Sequence, residues 1–120
     1  MFIVVGILKE YQLLFKVIVS MITEVAILIV KKGEENRFEE DFRTAGQYIS
    51  SIEGYIEHSL QKCIEQSNKY LLLVKWNKLE DHTVGFRQSA QYQQWKKLLH
   101  HYYDPFPIVE HFETIIDVKK

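Results

Sequence analysis

Two short apolar runs limit the folds open to this chain more than any other feature, because neither alternates apolar with polar residues. The first run is Val25–Val30, inside ITEVAILIV, and the second is Leu71–Val74, inside YLLLVKW. A sheet with helices on one face and water on the other normally alternates apolar and polar side chains along each strand. Both faces of the predicted sheet are therefore expected to be covered.

The first half of the chain predicts a strand, a helix and two more strands. Ile22–Val30 is a run rich in β-branched residues, and the polar KKG that follows closes it as a strand. The next apolar residues follow helical steps, with charged residues on the opposite face: Phe38, Phe42, Ala45, Ile49 and Ile52. Gly54 lies where a glycine is expected just beyond a helix, and strands follow at Tyr55–Ile64 and Tyr70–Trp76.

The second half predicts another helix and a last strand. A short helix is expected over Leu79–Arg87, and Ser89 has the side chain to cap a longer one. The apolar positions of that longer helix are Tyr92, Trp95, Leu98, Leu99 and Tyr102. The prolines of DPFP, residues 104–107, end the helix, and Ile108–Ile116 forms the last predicted strand.

The predicted order is β-α-β-β-α-β, the ferredoxin-like arrangement of an α+β fold with an antiparallel four-stranded sheet. Two helices cover only one face of such a sheet. A second sheet from an identical subunit is the simplest cover for the other face. The sequence therefore predicts a homodimer with its sheets packed face to face.

Composition and charge describe one folded domain. The chain has 120 residues, of which 47% are hydrophobic and 26% are charged, as in ordinary globular domains. Its 15 basic and 16 acidic residues are spread along the sequence, so no nucleic-acid partner is predicted. The single cysteine, Cys63, fits a reducing, cytoplasmic location and is expected to be a small buried strand residue.

Residues 1–20 are interpreted as an N-terminal appendage to a domain spanning residues 21–120. Lys9, Glu10, Lys16 and Glu24 interrupt the apolar N-terminus. It therefore lacks the ~18 uncharged residues of a membrane-spanning helix, and no membrane partner is predicted. No basic region precedes the first apolar run, so a secretory signal is not expected either. A packed amphipathic segment, a weak surface anchor and the product of an upstream start codon all stay open.

Four segments carry a family resemblance: GYIEHSLQKC (54–63), YLLLVKW (70–76), LEDHTVGFRQSAQYQQW (79–95) and DPFPIVEHF (104–112). Through them the chain resembles the antibiotic biosynthesis monooxygenase (ABM) domain of the dimeric α+β barrel superfamily, over about residues 21–117. The resemblance implies an ABM-like domain at residues 21–120 that forms a dimeric α+β barrel. Members include cofactor-independent oxygenases of aromatic polyketides, quinol oxygenases, haem-degrading enzymes and proteins with no known activity.

The haem-degrading branch of that family uses an asparagine, a tryptophan and an iron-binding histidine. The corresponding places in this chain hold Ala26, Phe86 and Lys96, so none matches. His100 and His101 lie one helical turn beyond the last of these places and are the remaining candidates for such a ligand. The resemblance therefore does not predict haem degradation.

Four of the five histidines fall within residues 81–112, which raises the question of a metal site. His100 and His101 are neighbours on a helix, where adjacent side chains point about 100° apart. The sequence also lacks H-E-x-x-H and C-x-x-C motifs. No metal site is predicted, and these two histidines are expected to favour the C-terminal end of the helix dipole.

His111 and His58 are the candidate catalytic bases. His111 lies on the last predicted strand and His58 on the second, and both have an intrinsic pKa suited to proton transfer near neutral pH. Either side chain can project between the sheet and the helices or into the dimer interface. The alternative role for each is a hydrogen-bonded interface histidine.

The segment HTVGFRQS, residues 82–89, places one arginine among aromatic residues. Arg87 or His82 is a candidate to stabilise an enolate or phenolate oxygen by a charge-assisted hydrogen bond. Phe86, Tyr92 and Trp95 are candidates to wall a pocket for a flat ligand. The alternative is that the aromatic residues belong to the core, Arg87 forms a surface ion pair and His82 caps a short helix.

The family resemblance implies a leading hypothesis: a monooxygenase of a small aromatic or quinol-like substrate that needs no cofactor, neither flavin nor metal. Such an enzyme removes a proton from a reduced phenolic substrate, and the resulting anion passes an electron directly to oxygen. The alternative is a non-catalytic, stress-associated dimer that holds a small hydrophobe or haem. Convergence of His58, Arg87 and His111 on one enclosed cavity would favour the enzyme.

Overall fold

The computed structural model describes residues 21–120, so the predicted appendage at residues 1–20 lies outside the described part of the chain. The main elements are strand β1 (Ile22–Ile29), helix α1 (Glu35–Ser50), strands β2 (Tyr55–Lys62) and β3 (Lys69–Trp76), helix α2 (Ala90–Leu99) and strand β4 (Val109–Glu113). A π-helical turn at Asp81–Phe86 precedes α2, and a 3-10 turn at His100–Tyr102 follows it. No helix within residues 21–120 is long and apolar enough to cross a membrane.

The four strands form one sheet in the order β2-β3-β1-β4. Every neighbouring pair is antiparallel. The two helices connect β1 to β2 and β3 to β4, as in a ferredoxin-like fold. The predicted α+β class, strand count and element order are therefore confirmed.

One face of the sheet packs against both helices and forms the core. The strands contribute buried side chains at alternate positions: Ala26, Leu28, Tyr70, Leu72, Val74 and Trp76. The helices supply the facing residues: Phe38, Phe42, Ala45, Ile49, Trp95 and Leu99. Because side chains alternate along a strand, the remaining strand residues point to the other face.

That other face, which we call the open face, is also apolar. Its central residues are Val25, Ile27, Leu71 and Leu73, and Phe112 lies beside them on β4. Ile27 is 51% exposed and Phe112 is 52% exposed in the single chain. The predicted apolar character of both faces is present, and the helices of residues 21–120 cover one of them.

Several predicted element ends extend beyond the observed ones. Helix α1 ends at Ser50, strand β2 at Lys62 and strand β4 at Glu113. Apolar residues beyond the strand ends have no partner strand in the single chain, and they are strongly exposed: Ile64, Ile115 and Ile116. The predicted cap of α2 is confirmed, because the backbone N–H of Tyr92 donates to Ser89 Oγ over 3.1 Å.

The π-helical turn packs closely against Gly54. The φ of Gly54 is +89°, which favours glycine. A Cβ atom at Gly54 would lie 2.0 Å from Asp81 Oδ2, the side chain at the start of that turn. The same Asp81 oxygen accepts a hydrogen bond from the Lys78 N–H over 3.2 Å. The glycine therefore lets the turn pack directly against the chain just before β2.

Candidate active site

Strand β1, one of the two inner strands, carries a single acidic residue on the face that packs against the helices. Glu24 has the same orientation as Ala26 and Leu28, and it is only 5% exposed. The indole N–H of Trp76 donates to Glu24 Oε1 over 3.0 Å. A buried carboxylate needs such hydrogen-bond partners, because burial without them costs several kcal/mol.

The π-helical turn supplies the second partner of this carboxylate. His82 Nε2 lies 3.3 Å from Glu24 Oε1, and the other ring nitrogen, Nδ1, lies 2.7 Å from His111 Nε2. His82 is 3% exposed. Its ring stacks on Trp76, with centroids 5.5 Å apart and an interplanar angle of 23°. Glu24, His82 and His111 therefore form a continuous chain of close polar contacts, in which the step from His82 to His111 is a hydrogen bond and the step from Glu24 to His82 is an ion-pair distance.

Sheet register explains why these groups meet. Glu24 on β1 is the direct cross-strand partner of His111 on β4, so both side chains point to the helical face. His82 contacts both members of this pair, by a hydrogen bond to His111 and at 3.3 Å from the Glu24 carboxylate. Three separate segments of sequence therefore build the cluster.

We take the His82 tautomer that carries its proton on Nε2, because it directs an N–H towards the Glu24 carboxylate. The Oε1 atom of Glu24 faces N–H groups of both Trp76 and His82. With His82 Nε2 as a donor, its Nδ1 accepts from His111 Nε2–H. No hydrogen bond involves Glu24 Oε2 within residues 21–120. That oxygen is the atom available to a ligand.

Burial shifts the pKa of each member of the cluster towards its neutral form. It raises the pKa of Glu24 from 4.5 to about 7, against the opposing effects of the Trp76 hydrogen bond and the Arg87 charge. Burial lowers the pKa of His82 to about 3, and the charges of Arg87 and His111 lower it further. The pKa of His111 is also lowered, by burial and then by Arg87. Glu24 is therefore the group that changes charge near neutral pH.

Glu24 and His82 line a cavity of about 350 Å³ between the helical face of the sheet and α2. Its other lining residues are Ala26, Leu28, Leu72, Phe86, Arg87, Tyr92, Trp95, His100, Tyr103, Phe106, Pro107 and Val109. This volume lies at the lower end of the range for small-molecule sites. A few polar groups set among apolar and aromatic walls are typical of such sites.

Three aromatic rings form a corner of the cavity. Phe86 meets Tyr92 edge to face at 5.2 Å and 82°, and it meets Trp95 at 5.7 Å and 81°. Phe86 and Trp95 are almost completely buried. The sequence left two roles open for these rings, either core residues or the walls of a pocket. They have both roles, because they pack in the core and also line the cavity.

Arg87 follows the π-helical turn and lines the cavity, although the residue as a whole is exposed. Its charge lowers the pKa of Glu24, His82 and His111, and Arg87 and Glu24 line the same cavity. No salt bridge involves Arg87 among the described residues. The guanidinium is available to an anionic ligand atom.

Tyr103 and His100 lie on the wall nearest the loop that follows α2. Burial raises the pKa of the Tyr103 hydroxyl well above its usual range, and Glu24 and Tyr92 raise it further, so the hydroxyl stays protonated. The His100 ring packs edge to face on Phe106 at 4.9 Å. Phe106 is 60% exposed and lines the cavity, which puts it at the mouth.

The structure separates the predicted site residues into two groups. His82, Phe86, Arg87, Tyr92 and Trp95 line the cavity, and His111 reaches it through His82. His58 is on β2, the outer strand at the opposite edge of the sheet from β4. Three strand spacings separate these edges, roughly 14 Å.

His58 has partners of its own away from the cavity. The Tyr55 hydroxyl lies 2.5 Å from His58 Nδ1, and the ring contacts Phe42 at 5.9 Å between centroids. A Cβ atom at Gly46 would lie 3.4 Å from the same ring. His58 is thus a packed, hydrogen-bonded histidine. It does not converge with Arg87 and His111 on one cavity, the arrangement that would favour the enzyme.

Two further predicted residues lie outside the cavity. His101 is exposed and packs on Tyr102 at 4.1 Å. Cys63, predicted to be a small buried strand residue, is instead half-buried just beyond the end of β2. Neither residue contacts the Glu24 cluster.

Glu24 and Tyr103 line the cavity but are not among the site residues that the sequence predicts. The signal for Glu24 was available, since it is the only charged residue in ITEVAILIV and shares its strand face with Ala26 and Leu28. A charged residue on the core face of a strand is rarely buried without a specific reason. Tyr103 gave no comparable signal, because a tyrosine near a helix end is ordinarily a packing residue.

The cluster does not have the geometry of a metal site. The two nitrogens of His82 face different partners, Glu24 on one side and His111 on the other. These three side chains therefore do not converge on one point. Within residues 21–120, no group of three or more histidine, cysteine or acidic side chains is arranged to hold a metal ion.

The sequence matches the family described as antibiotic biosynthesis monooxygenase over residues 21–98. It is also similar to YczJ of Bacillus subtilis, an uncharacterised protein. The two are 57% identical over 95 residues, which cover 79% of this chain and 100% of YczJ.

Solved structures show the same fold. A Bordetella bronchiseptica protein assigned to the antibiotic biosynthesis monooxygenases is 33% identical, with a TM-score of 0.77 over 81% of this chain and 99% of that one. SnoaB of Streptomyces nogalater, a cofactor-independent oxygenase, is 17% identical, with a TM-score of 0.66 over 84% of this chain and 99% of its own. The family match spans well over half of the sequence, and this chain belongs to the antibiotic biosynthesis monooxygenase family.

Proposed function

We propose that this protein is a cofactor-independent monooxygenase of a small aromatic or quinol-like substrate. The observation that carries the proposal is a buried carboxyl group whose pKa lies near neutrality, Glu24, at the wall of an aromatic cavity. A base with that pKa, held out of water, is suited to removing a proton from a bound phenol.

The cavity walls favour a flat ring as the ligand. Phe86 and Trp95 offer buried faces and edges at about right angles to each other. A planar ring slotted into this corner gains apolar burial and edge-to-face contacts. The cavity of about 350 Å³ suits a ligand of small-molecule size.

Proton removal is assigned to Glu24 rather than to the histidines that the sequence favoured. Its Oε1 atom contacts Trp76 and His82, so Oε2 is the oxygen left for a ligand in the cavity that Glu24 lines. His111 does not line the cavity, and His58 lies at the other edge of the sheet. In this proposal, His82 and His111 hold the carboxyl group in place.

The remaining steps use Arg87 and molecular oxygen. The Arg87 guanidinium stabilises the phenolate that forms when Glu24 takes the proton. The phenolate gives one electron to oxygen, and the resulting radical and superoxide join as a peroxide on a ring carbon. That peroxide takes up one proton, which balances the proton that Glu24 removed. It then loses its outer oxygen and the hydrogen of its carbon as water, which leaves a new carbonyl group. One oxygen atom of O₂ thus enters the substrate and the other becomes water.

Fold similarity to SnoaB, described as a cofactor-independent oxygenase, supports the reaction class by analogy. Fold alone does not determine function, and the proposal therefore depends on the Glu24 cavity. The substrate is defined here by its chemistry, an oxidisable ring with an ionisable oxygen.

We further propose that the protein works as a homodimer whose open faces pack together. Val25, Ile27, Leu71 and Leu73 form an apolar centre on that face, and Phe112 extends it. A contiguous exposed apolar surface of this kind marks an interaction site. The two-fold packing of identical faces is the simplest arrangement that covers it.

Oxygen uptake tests the proposed reaction. Wild-type protein is mixed with small benzene and naphthalene hydroquinones in air-saturated buffer, and uncatalysed oxidation is subtracted. Glu24→Gln and Arg87→Gln are expected to lower the rate strongly, while the exposed controls Glu57→Gln and Arg37→Gln keep it. Full activity in both cavity variants would contradict the proposal.

A non-catalytic protein that holds a small hydrophobe or haem gives a different result. It would bind such ligands in calorimetry, or shift the haemin Soret band, without oxygen uptake by any variant. That combination would replace the enzymatic proposal with a binding one.

A further inference from the structure

The chain of close polar contacts at Glu24 extends beyond the cavity to the edge of the sheet. From Glu24 Oε1 it runs 3.3 Å to His82 Nε2, and from His82 Nδ1 it runs 2.7 Å to His111 Nε2. His111 is partly exposed on the edge strand β4. One end of the chain is therefore in the cavity wall and the other end is near solvent.

An imidazole ring is suited to such a chain, because it accepts a proton at one nitrogen while it releases one from the other. Both nitrogens of His82 are engaged, each with a different partner. At His111, Nε2 bonds to His82, and Nδ1 makes no hydrogen bond within the described residues. The outer nitrogen is thus open to exchange with water.

We infer that His82 and His111 form a proton path that connects the buried Glu24 carboxyl group to solvent without passing through the cavity. This inference rests on the proposed role of Glu24 as the base. It adds a function to two residues that otherwise only hold the carboxylate. A ligand that fills the cavity blocks the direct route to water, whereas the histidine path stays open behind the wall.

The path moves one proton with no other net change. A solvent proton binds His111 Nδ1, and the proton on His111 Nε2 moves to His82 Nδ1. The proton on His82 Nε2 then moves to Glu24 Oε1, which becomes a neutral carboxylic acid. The reverse sequence starts from these second tautomers with the acid proton on Glu24 Oε1, and it discharges that proton to solvent. Each ring ends neutral, with its proton on the other nitrogen.

The surrounding charges fit this role. Glu24 faces His82 from β1, His111 faces it from β4, and the Arg87 charge acts on all three groups. Burial and Arg87 both lower the pKa of His82, so its doubly protonated form is short-lived. His82 therefore passes a proton on rather than storing it.

Isotope-edited NMR of the ring N–H protons tests the path without any substrate. The variant is His111→Gln, since glutamine keeps a hydrogen-bonding group at this position but does not carry a proton between its two ends. The exchange of the His82 ring proton with water is expected to slow by about tenfold or more. The control is His101→Gln, an exposed histidine outside the chain. Unchanged exchange in folded His111→Gln would overturn the inference.

A second measurement covers the case in which His111→Gln does not fold. In the wild-type protein, added imidazole is expected to accelerate exchange of the His82 ring proton, because imidazole delivers protons to exposed His111. No acceleration would contradict the path.

Turnover separates this inference from the proposed function. His111→Gln is expected to slow quinol oxidation by about tenfold or more, with recovery on addition of imidazole. If the wild-type protein oxidises no quinol, the proposed function fails, while the NMR result still decides the proton path. If turnover is normal in His111→Gln and imidazole has no effect, the path fails and the proposed reaction stands.

Discussion

The indole N–H of Trp76 donates a hydrogen bond to the Glu24 carboxylate over 3.0 Å, with both residues in the core. Trp76 ends β3 and Glu24 lies in β1, two strands that pair directly. A tryptophan at a strand end is usually a packing residue, but this one also satisfies a buried acid. The candidate site is thus built into the core and is not added to its surface.

Trp76→Phe is expected to destabilise the fold by about 1–3 kcal/mol beyond the loss of ring volume, because it leaves a buried acid without its donor. Trp95→Phe is the matched control, since Trp95 is also buried but no hydrogen bond involves its indole within residues 21–120. Urea unfolding of both variants measures the difference. Equal losses for the two substitutions would show that the Glu24 hydrogen bond contributes nothing.

Glu24→Gln is expected to make stability less sensitive to pH between 4.5 and about 7. The folded protein holds the Glu24 proton up to a pKa of about 7, while the unfolded chain loses it near 4.5. Between these values the folded state binds more protons, so the free energy of unfolding falls as pH rises. The full loss is about 3 kcal/mol, and glutamine removes it.

The measurement is urea unfolding of wild-type protein and Glu24→Gln at about pH 5 and about pH 8. The advantage of the variant is expected to grow with pH. His82 acts in the opposite direction, because its lowered pKa makes stability fall as pH drops from 6.5 towards 3, and both proteins share this loss. A constant difference between the proteins would show that the pKa of Glu24 is not raised.

Gly54→Ala is expected to cost more stability than Gly33→Ala. Both glycines have a φ of +89°, so each substitution costs about 1–2 kcal/mol in backbone strain. At Gly33 a Cβ atom meets nothing within 4 Å, whereas at Gly54 it meets the Asp81 side chain at 2.0 Å. The additional cost at Gly54 is about 1–3 kcal/mol. Thermal unfolding of the two variants compares them directly, and equal costs would contradict the close packing of the π-helical turn.

Ile27→Glu is expected to weaken the proposed dimer by at least about 100-fold, because it places a charge in the centre of the covered open face. Ile64→Glu is the control, since Ile64 is 97% exposed beyond the end of β2. Light scattering at micromolar concentration is expected to show a dimer for wild-type protein and the control. A wild-type monomer under those conditions would contradict face-to-face packing of the sheets.

Local sequence patterns were sufficient to predict the fold. The helical spacing of Phe38, Phe42, Ala45 and Ile49 predicts α1, and all four residues are buried. The ends of β2 and β4 were harder to predict, because Ile64 and Ile116 continue the apolar pattern where no neighbouring strand continues the pairing. Pairing is a property of the sheet and cannot be read from one strand.

The candidate site was predicted in part. HTVGFR supplies residues that line the cavity, His82, Phe86 and Arg87. The pairing of Glu24 with His111 depends on the register of β1 against β4, over a large separation in sequence. The residue pattern of either strand alone does not predict that register. The sequence therefore predicted the wall of the cavity, while its buried acid required the structure.

The pH dependence of quinol oxidation tests the central claim most directly. For wild-type protein, kcat/KM is expected to rise with pH through an apparent pKa near 7, the value to which burial raises Glu24, and then to level off. Glu24→Gln is expected to lower kcat/KM by about 100-fold or more and to abolish this inflection. Wild-type kcat/KM with the same inflection in Glu24→Gln would contradict the role of Glu24 as the base.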